Sequence, residues 1–464
     1  MADFWDYSVW GFFNIFAILL FSLLAANALK KSVKFLEASL IPTSVLAGIL
    51  LLLFSMIYDR FSDGKLFDSA FFGGNGYAYM EMITYHTLAL GFISGSLKST
   101  GGKLSKKRTT EIFNTGVTTV ATYLVQAVAG FAITLVVAMI IPGFFSAAGI
   151  LLPFGYGQGT GQAMNYGNIY ETQFGFDGGK SFGLTVAALG FLSASIGGVI
   201  HLNILKRRGQ LKNRQLKDET ITENQIQSLD EIPMQESIDK FTVQVALIAL
   251  AYLLAYLLMY LLGNLIPGMK AVIYGFNFLL GVLAATLVKA VLNFLKKKGI
   301  AKREYTNNFL LTRASNFFYD IMVVAGIAAI RLDLIDKYWG VLILLGVVGL
   351  VITYAYNRVV VNVLFKEYRE EQFLAMYGML TGTASTGIIL LREVDGDFKS
   401  PVADNLVYQN FPAIVFGFPI MLLATLAPVK PVLTLLLLTG FLIIMNVILF
   451  RDQIFKKRKA NETV

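Results

Sequence analysis

The sequence lacks cysteine and carries little charge. None of its 464 residues is cysteine, two are histidine, and 15% are charged. The absence of cysteine excludes disulfides, thiolate metal sites and cysteine nucleophiles, and two histidines leave little for an imidazole metal site. Soluble domains carry about 25% charged residues. The low charge, the 56% hydrophobic content and the mean hydropathy of +0.63 therefore predict a membrane protein.

Long apolar segments are what the sequence has in abundance. Eleven of them predict membrane-spanning helices, because about 20 apolar residues cross the hydrocarbon core of a bilayer. Five precede a polar loop, five follow it, and the eleventh has no counterpart in the first half. The predicted spans are Ser8–Leu29, Ile41–Tyr58, Tyr79–Leu97, Ile112–Ile141, Ser181–Leu205, Phe241–Leu262, Ala271–Leu295, Ala314–Ile330, Tyr338–Phe365, Asp404–Ala427 and Pro431–Phe450.

This order of spans predicts how the chain is divided. Residues 1–205 and 241–427 form two repeats of five spans, and residues 428–464 add a further span with a basic tail. The loop between the repeats, residues 206–240, holds seven Lys/Arg and seven Asp/Glu, which is typical of a solvated cytoplasmic linker. The N-terminal sequence lacks the basic start of a cleavable signal peptide, so we expect an uncleaved first span.

Basic residues are distributed unevenly between the two sides that these spans define. With the N-terminus outside, the inner segments hold 32 Lys/Arg and the outer segments hold 7. Because cytoplasmic loops are enriched in these residues, this topology is predicted, with the C-terminus in the cytoplasm and the protein in the plasma (inner) membrane. The net charge of +9 reflects these loops, and we expect no nucleic acid partner.

Two stretches of small and polar residues interrupt the apolar pattern at matching places. They read PFGYGQGTGQAMNYG from Pro153 to Gly167 and GMLTGTASTG from Gly378 to Gly387. Both are too polar to face lipid and too rich in glycine for an ordinary helix. The topology predicts re-entrant hairpins at about 144–168 from outside and 372–391 from inside. The predicted fold is therefore an all-α polytopic membrane protein of two inverted five-helix repeats, each with a re-entrant hairpin, plus an extra C-terminal transmembrane helix.

Each of the two stretches also fits a simpler structural role. The glycines match neither the dinucleotide fingerprint nor the P-loop pattern. A glycine-rich packing seam between helices is the alternative for the first stretch, and local capping by Ser and Thr is the alternative for the second. A membrane-embedded enzyme would need paired carboxylates, a Ser/His pair or a metal motif. The sequence has none of these, so we expect no enzyme.

Discontinuous segments in matching positions of two halves mark the binding site of a secondary transporter. Arg392 suits a solute carboxylate as a bidentate donor, although it equally fits a charged cytoplasmic turn. Hydroxyls, bared carbonyls and an acidic group inside a span suit a sodium ion. The substrate-binding candidates are Gln158, Gly159, Thr160, Gly161, Gln162, Thr383, Ser385, Thr386, Arg392 and Asn410, and the sodium candidates are Asp320, Thr381 and Gly382.

These residues resemble the bacterial glutamate:sodium symporter (ESS) family. The run GYGQGTGQAMNYGNIYETQFGF, a span ending SIGGVIHLNILKRRG, and the segments SVKFLEASLIPTSVLAGILL and LALGFISGSLKSTGG carry the resemblance. It extends from about Lys31 to Ala427 and is clearest at Gly157–Gly161. Gln158 stands where the family has histidine, and the second hairpin reads GTASTG where a sequence closer to G-A-T-P-T-A is expected.

The resemblance implies a function as well as a fold. It implies sodium-coupled symport of glutamate or a related small anionic amino acid or carboxylate, with sodium as coupling ion and no other cofactor. It also implies a homodimer in a lipid membrane, in which a core carrying both hairpins slides against a fixed scaffold. Proton-coupled transport or exchange of another small organic anion is the alternative.

Overall fold

The computed structural model describes residues 3–62, 64–98, 105–210, 231–234, 237–396 and 399–454, with only the backbone at Ser385 and Phe411. The basic tail predicted at Lys456–Lys459 and most of the central loop lie outside these residues. No β-strand occurs in the described ranges. The helices there are α1 (Tyr7–Ser32), α2 (Lys34–Ala38), α3 (Thr43–Phe61), α4 (Gly76–Leu97), α5 (Lys106–Ile140), α6 (Leu151–Phe174), α7 (Gly179–Arg207), α8 (Lys240–Leu265), α9 (Lys270–Gly275), α10 (Asn277–Lys297), α11 (Asn308–Ala328), α12 (Leu332–Ile335), α13 (Trp339–Leu364), α14 (Arg369–Thr381), α15 (Ala384–Arg392), α16 (Val402–Tyr408), α17 (Asn410–Leu426) and α18 (Pro431–Leu449).

Within the described ranges, eight helical segments are long and apolar enough to cross a membrane, or nine if the bent pair α16 and α17 forms one span. The protein is therefore an all-α, multi-pass membrane protein, as the composition predicts. Nine of the eleven predicted spans each coincide largely with one helix, whereas Ala271–Leu295 covers α9 and α10, and Asp404–Ala427 covers α16 and α17. Two of these helices, α4 and α11, have the length of a span but are more polar than the eight.

The chain forms two compact units, and each draws on both halves of the sequence. The first unit consists of Met1–Leu24, Ala47–Lys103 and Arg214–Ala329. Apolar side chains of α4, α8, α10 and α11 form a core there, and Tyr319 of α11 fits against Gly91 of α4, where a Cβ atom would lie 2.6 Å from its ring. Its Lys240 is fully buried, and Nζ lies 2.7 Å from Glu231 Oε2.

The second unit consists of Ala25–Leu46, Leu104–Asn213 and Ile330–Val464. It contains both stretches of small and polar residues, on α6 and on α14 and α15. Three long helices, α5, α7 and α13, contact these segments. The candidate site therefore lies in this unit.

Candidate functional site

The first stretch folds into a helical hairpin, residues 145–174, which we call the first hairpin. Helix α6 is interrupted at Gly159, whose φ of 81° and ψ of −171° are accessible essentially to glycine alone. The rings of Phe154 and Tyr166 are stacked with centroids 4.0 Å apart. In a straight helix these residues would be separated by about 18 Å. Phe145, where the segment begins, also contacts Tyr170 near its end, with ring centroids 5.2 Å apart. The chain therefore reverses at Gly159.

The second stretch forms the second hairpin, which consists of α14 and α15. The break is at Gly382 and Thr383, neither of which has helical dihedral angles. The arms touch through Gly378 and Gly387, because a Cβ atom on Gly378 would lie 2.9 Å from Gly387 Cα. Only residues without side chains permit this approach of two backbones. Glycine is therefore required here for space between the arms.

The tips of both hairpins reach the same point on α7. A Cβ atom at Gly190 would lie 2.6 Å from the carbonyl oxygen of Thr381 in the second hairpin. The same atom would lie 3.2 Å from Cα of Tyr156 in the first hairpin. Gly183 lies against Ala163 of the first hairpin, and Gly197 against Tyr377 of the second. The first half of α7 therefore contacts the first hairpin, and its second half contacts the second hairpin. Gly190 lies between these halves, where the two tips meet.

Helix α5 binds one carbonyl in each hairpin. Tyr123 donates its hydroxyl to the Gly157 carbonyl at 2.9 Å, and Gln126 donates Nε2 to the Leu380 carbonyl at 2.9 Å. Each carbonyl belongs to the residue two positions before a helix break. Carbonyls in the last turn of a helix lack an amide partner in that helix, so the side chains of α5 supply donors where the breaks require them.

Ser193 of α7 also links the hairpins. The Tyr156 hydroxyl lies 2.6 Å from the Gly346 carbonyl, to which it donates, and therefore accepts from Ser193 Oγ at 2.8 Å. Tyr377 of the second hairpin donates its hydroxyl to the Ser193 carbonyl at 2.8 Å. One residue of α7 thus bonds to an aromatic side chain from each hairpin.

The polar groups around the tips include buried atoms for which the described residues supply no hydrogen-bond partner. Gln126 and Gln162 are almost completely buried, yet within the described part of the chain Gln126 Oε1 accepts no hydrogen bond and Gln162 Nε2 donates none. Leaving such an atom unpaired in a protein interior costs about 1–3 kcal/mol. Most buried polar atoms are paired in native proteins, so these two atoms are open to a polar partner such as water or a ligand.

Most of the predicted substrate residues lie at the two tips. Gln158 is half-buried and Gln162 is buried, on either side of the turn at Gly159. Thr383, at the second break, is half-buried, and its Oγ1 lies 3.4 Å from Oγ1 of the buried Thr386. The structure thus brings together at the tips the predicted residues Gln158, Gly159, Thr160, Gly161, Gln162, Thr383 and Thr386, whereas the side chain of Ser385 lies outside the described residues.

Three predicted residues lie elsewhere. Arg392 is exposed at the end of α15, about 13 Å along that helix from the tip. Asn410 is exposed at the start of α17, where its Oδ1 lies 3.1 Å from Gln409 Nε2. Asp320 is exposed on α11 and belongs to the first unit.

The remaining sodium candidates, Thr381 and Gly382, lie at the second break. Thr381 donates its hydroxyl to the Tyr377 carbonyl at 2.6 Å, so its remaining lone pairs are what it offers to a cation.

A charged cluster holds the start of the second hairpin. Glu370 Oε2 lies 2.8 Å from His201 Nε2 and 2.8 Å from Arg358 Nη1, and Arg358 Nη2 lies 2.9 Å from Glu370 Oε1. Burial alone would raise the pKa of Glu370, but the hydrogen bonds from His201 and Arg358 outweigh it and lower this pKa to about 2. The carboxylate therefore stays ionised and joins α14 to α7 and α13.

The sequence interpretation misses Tyr123, Gln126 and Thr353, which lie within apolar spans. The signal for Gln126 is a polar stripe in the fourth predicted span, where Thr115, Thr118, Thr119, Thr122 and Gln126 recur at helical spacing. All five side chains are buried. Such a stripe in a membrane helix indicates a face turned away from lipid.

Neither a scan against protein-family models nor a search of curated proteins finds a match to this chain. A functional proposal therefore rests on the fold class and on the geometry of the two hairpin tips.

Proposed function

We propose that this protein is a secondary active transporter that couples the uptake of a small anionic solute to sodium. The observation that carries the proposal is the convergence of two broken helical hairpins on one point of α7. Irregular backbone at membrane depth is tolerated where it is buried in protein or lines a cavity, and discontinuous helices form the solute and ion sites of secondary transporters. Both hairpins belong to a single unit.

The chemistry of the tips supports an anionic solute. Helical arms begin again at Thr160 and Ala384, just after the two breaks. The amide groups of a helix's first turn attract anions. Amide and hydroxyl groups around them supply directional hydrogen bonds. With the resemblance to glutamate:sodium symporters, this favours glutamate or a related small anionic amino acid or carboxylate.

The finer architecture belongs to the same proposal. The two hairpins are the re-entrant elements of inverted five-helix repeats, and the eleventh span is an addition. The equivalent bonds from α5 to Gly157 and Leu380 support matching roles for the hairpins. We propose a homodimer in which a core carrying both hairpins slides against a fixed scaffold, with the N-terminus outside the plasma membrane and the C-terminus in the cytoplasm.

Uptake into proteoliposomes tests this function. Labelled glutamate should accumulate when sodium is higher outside than inside, and accumulation should stop when choline replaces sodium. A panel of amino acids and dicarboxylates offered under both conditions identifies the solute. Absent or sodium-independent uptake across the whole panel would refute the proposal.

One observation favours the proton-coupled or exchange alternative. The buried His201 has both ring nitrogens within hydrogen-bond distance of partners, with Nδ1 2.7 Å from the Tyr354 hydroxyl and Nε2 2.8 Å from Glu370. Chains of histidine and carboxylate side chains form the proton relays of pumps and transporters. If a protonophore abolished uptake while replacement of sodium did not, the protein would be a proton-coupled transporter.

A further inference from the structure

Helices α5 and α13 meet at four buried polar side chains. Thr122 and Gln126 are one turn apart on α5, and Thr353 and Asn357 are one turn apart on α13. All four have no exposed surface. Gln126 Nε2 donates to Thr353 Oγ1 at 2.8 Å, and Asn357 Nδ2 lies 3.5 Å from Thr122 Oγ1. The four side chains therefore form one compact cluster, because residues one helical turn apart are neighbours.

The two amides of this cluster use their nitrogens completely. Gln126 Nε2 donates to Thr353 and to the Leu380 carbonyl, while Asn357 Nδ2 donates to Thr122 and to the Thr353 carbonyl at 2.9 Å. Backbone carbonyls can only accept, so the orientation of both amides is fixed by their contacts. In consequence Gln126 Oε1 and Asn357 Oδ1, both fully buried, accept no hydrogen bond from any residue that the structure describes.

The hydroxyls of the cluster also present oxygen. Thr122 donates its proton to the Thr118 carbonyl at 2.8 Å, so its remaining capacity is as an acceptor. Thr353 Oγ1 accepts from Gln126 and keeps a second lone pair. Two amide oxygens and two hydroxyl oxygens are thus available, and none carries a charge. Neutral oxygen ligands suit a dehydrated monovalent cation, whereas protein sites for divalent cations use carboxylates.

We propose that Thr122, Gln126, Thr353 and Asn357 form a sodium site at the contact of α5 and α13. The inference rests on the proposed function, because it supplies a site for its coupling ion. Gln126 links the ion to the second hairpin through the Leu380 carbonyl. The adjacent residue, Tyr123, binds the Gly157 carbonyl of the first hairpin. An ion bound here stabilises the segment of α5 that holds both tips.

Thermal unfolding of the purified full-length protein in detergent tests the site without any solute. Sodium chloride replaces choline chloride at constant ionic strength, so that screening of surface charge does not change. A ligand that binds only the folded state raises the unfolding temperature with its concentration. We expect sodium to raise it and choline to leave it unchanged. No response of the unmodified protein to sodium would overturn the proposal, and water would then be the occupant of the cluster.

Substitutions in the cluster test whether these four residues bind the sodium ion that raises the unfolding temperature. Thr353→Val and Asn357→Leu each remove one oxygen, and each should raise the sodium concentration for half-maximal stabilisation about tenfold or more, as expected for loss of one bond to a charged group. Thr353→Ser keeps the oxygen and should retain the response. Thr434→Val is the matched control, because Thr434 is equally buried on α18 and its Oγ1 also has no hydrogen-bond partner among the described residues. A response unchanged in Thr353→Val and Asn357→Leu would overturn the site.

A charged variant keeps the test decisive if the apolar variants do not fold. Asn357→Asp places a carboxylate beside the remaining oxygens, so half-maximal stabilisation should need less sodium, and calcium should begin to stabilise the protein. Binding of radiolabelled sodium gives a second readout. If sodium-driven uptake is observed but Asn357→Asp binds sodium as the unmodified protein does, the site is wrong and the proposed function stands. If the variants change sodium binding but no solute is taken up, the site stands and the proposed function fails.

Discussion

The two hairpins reverse the chain by different physical means. In the first hairpin the turn depends on backbone conformation, since Gly159 has a positive φ that L side chains rarely adopt. In the second hairpin Gly382 and Thr383 have negative φ values, and glycine is needed because the backbones of Gly378 and Gly387 approach closely. Similar sequence composition therefore serves different requirements, conformation in one tip and space in the other.

The hairpins also differ in how firmly their arms are held. The second arm of the first hairpin is buried from Thr160 to Gly167, and Tyr166 and Tyr170 donate their hydroxyls to the carbonyls of Met421 and Ala424 on α17. The second arm of the second hairpin is α15, and its first and last residues, Ala384 and Arg392, are exposed. Segments with fewer buried contacts open at lower free energy. We expect the second hairpin to open first.

Gly190→Ala should have the largest effect, because it acts on both hairpins at once. Its methyl group would meet the backbone of Thr381 on one side and of Tyr156 on the other, and neither can rotate away. Overpacking of this kind costs up to about 3 kcal/mol. We expect a lower unfolding temperature and loss of sodium-driven uptake. Gly346→Ala is the control, because the nearest atoms to its methyl would belong to the side chain of Leu189, at 3.3 Å or more. Equal losses in both variants would contradict the role of Gly190.

Gly159→Ala and Gly382→Ala separate conformation from space. The first forces alanine into an unfavourable region of dihedral space and should destabilise the protein by about 1–3 kcal/mol. The second keeps a negative φ, and its methyl would lie 2.9 Å from Oγ1 of Thr386 and 3.2 Å from the carbonyl oxygen of Gly378. We expect the unfolding temperature to fall more in Gly159→Ala. The opposite order would show that the two turns are not distinguished in this way.

Glu370→Gln should loosen the second hairpin and leave the first unchanged. Loss of the charge-assisted hydrogen bonds to His201 and Arg358 should lower the free energy of unfolding by about 1–2 kcal/mol near neutral pH. The native pKa of Glu370, about 2, lies below the ordinary value of 4.5, so the carboxylate stabilises the folded state above pH 4.5 and this contribution is lost as pH falls toward 2. The difference in unfolding temperature between Glu370→Gln and the unmodified protein should therefore shrink on acidification.

Glu367→Gln is the matched control for that variant. Glu367 pairs with Lys107 at 2.9 Å, but both side chains are about two-thirds exposed, and exposed pairs contribute under about 1 kcal/mol. Limited proteolysis gives a local readout, because Glu370→Gln should expose α14 to cleavage while the first hairpin stays protected. A pH-independent difference between Glu370→Gln and the unmodified protein would contradict the assignment.

Much of the fold follows from patterns that depend on local chemistry. Apolar length predicts the helices, and the run from Pro153 to Gly167 predicts a broken segment because lipid-facing backbone cannot be left unpaired. The break in that run is at Gly159. Glycine occupies every second position from Gly155 to Gly161, and each of these four residues could adopt a positive φ. The sequence alone therefore does not identify which of them does.

The side chains that support the tips depend on tertiary contacts and are harder to predict. Gln126 and Thr353 lie 227 positions apart in the sequence, and only the folding of the second unit brings them within 2.8 Å. Arg392 and Asp320 become candidates in the sequence because they are charged, and ionisable groups within membrane segments often have a functional role. The groups that contact the tips are neutral amides and hydroxyls, whose individual signals in an apolar helix are weak.

The smallest expected difference concerns two tyrosines, Tyr166 of the first hairpin and Tyr377 of the second. Replacement of either by phenylalanine keeps the ring and removes one hydrogen bond, worth about 1 kcal/mol. The hydroxyl of Tyr166 contacts Met421 on α17, whereas that of Tyr377 contacts Ser193, which bonds to both hairpins. We therefore expect similar small decreases in unfolding temperature but a larger decrease in sodium-driven uptake for Tyr377→Phe. If Tyr166→Phe reduced uptake as much as Tyr377→Phe, loss of a hydrogen bond in either hairpin would impair transport equally. The second hairpin would then not be the more easily opened one.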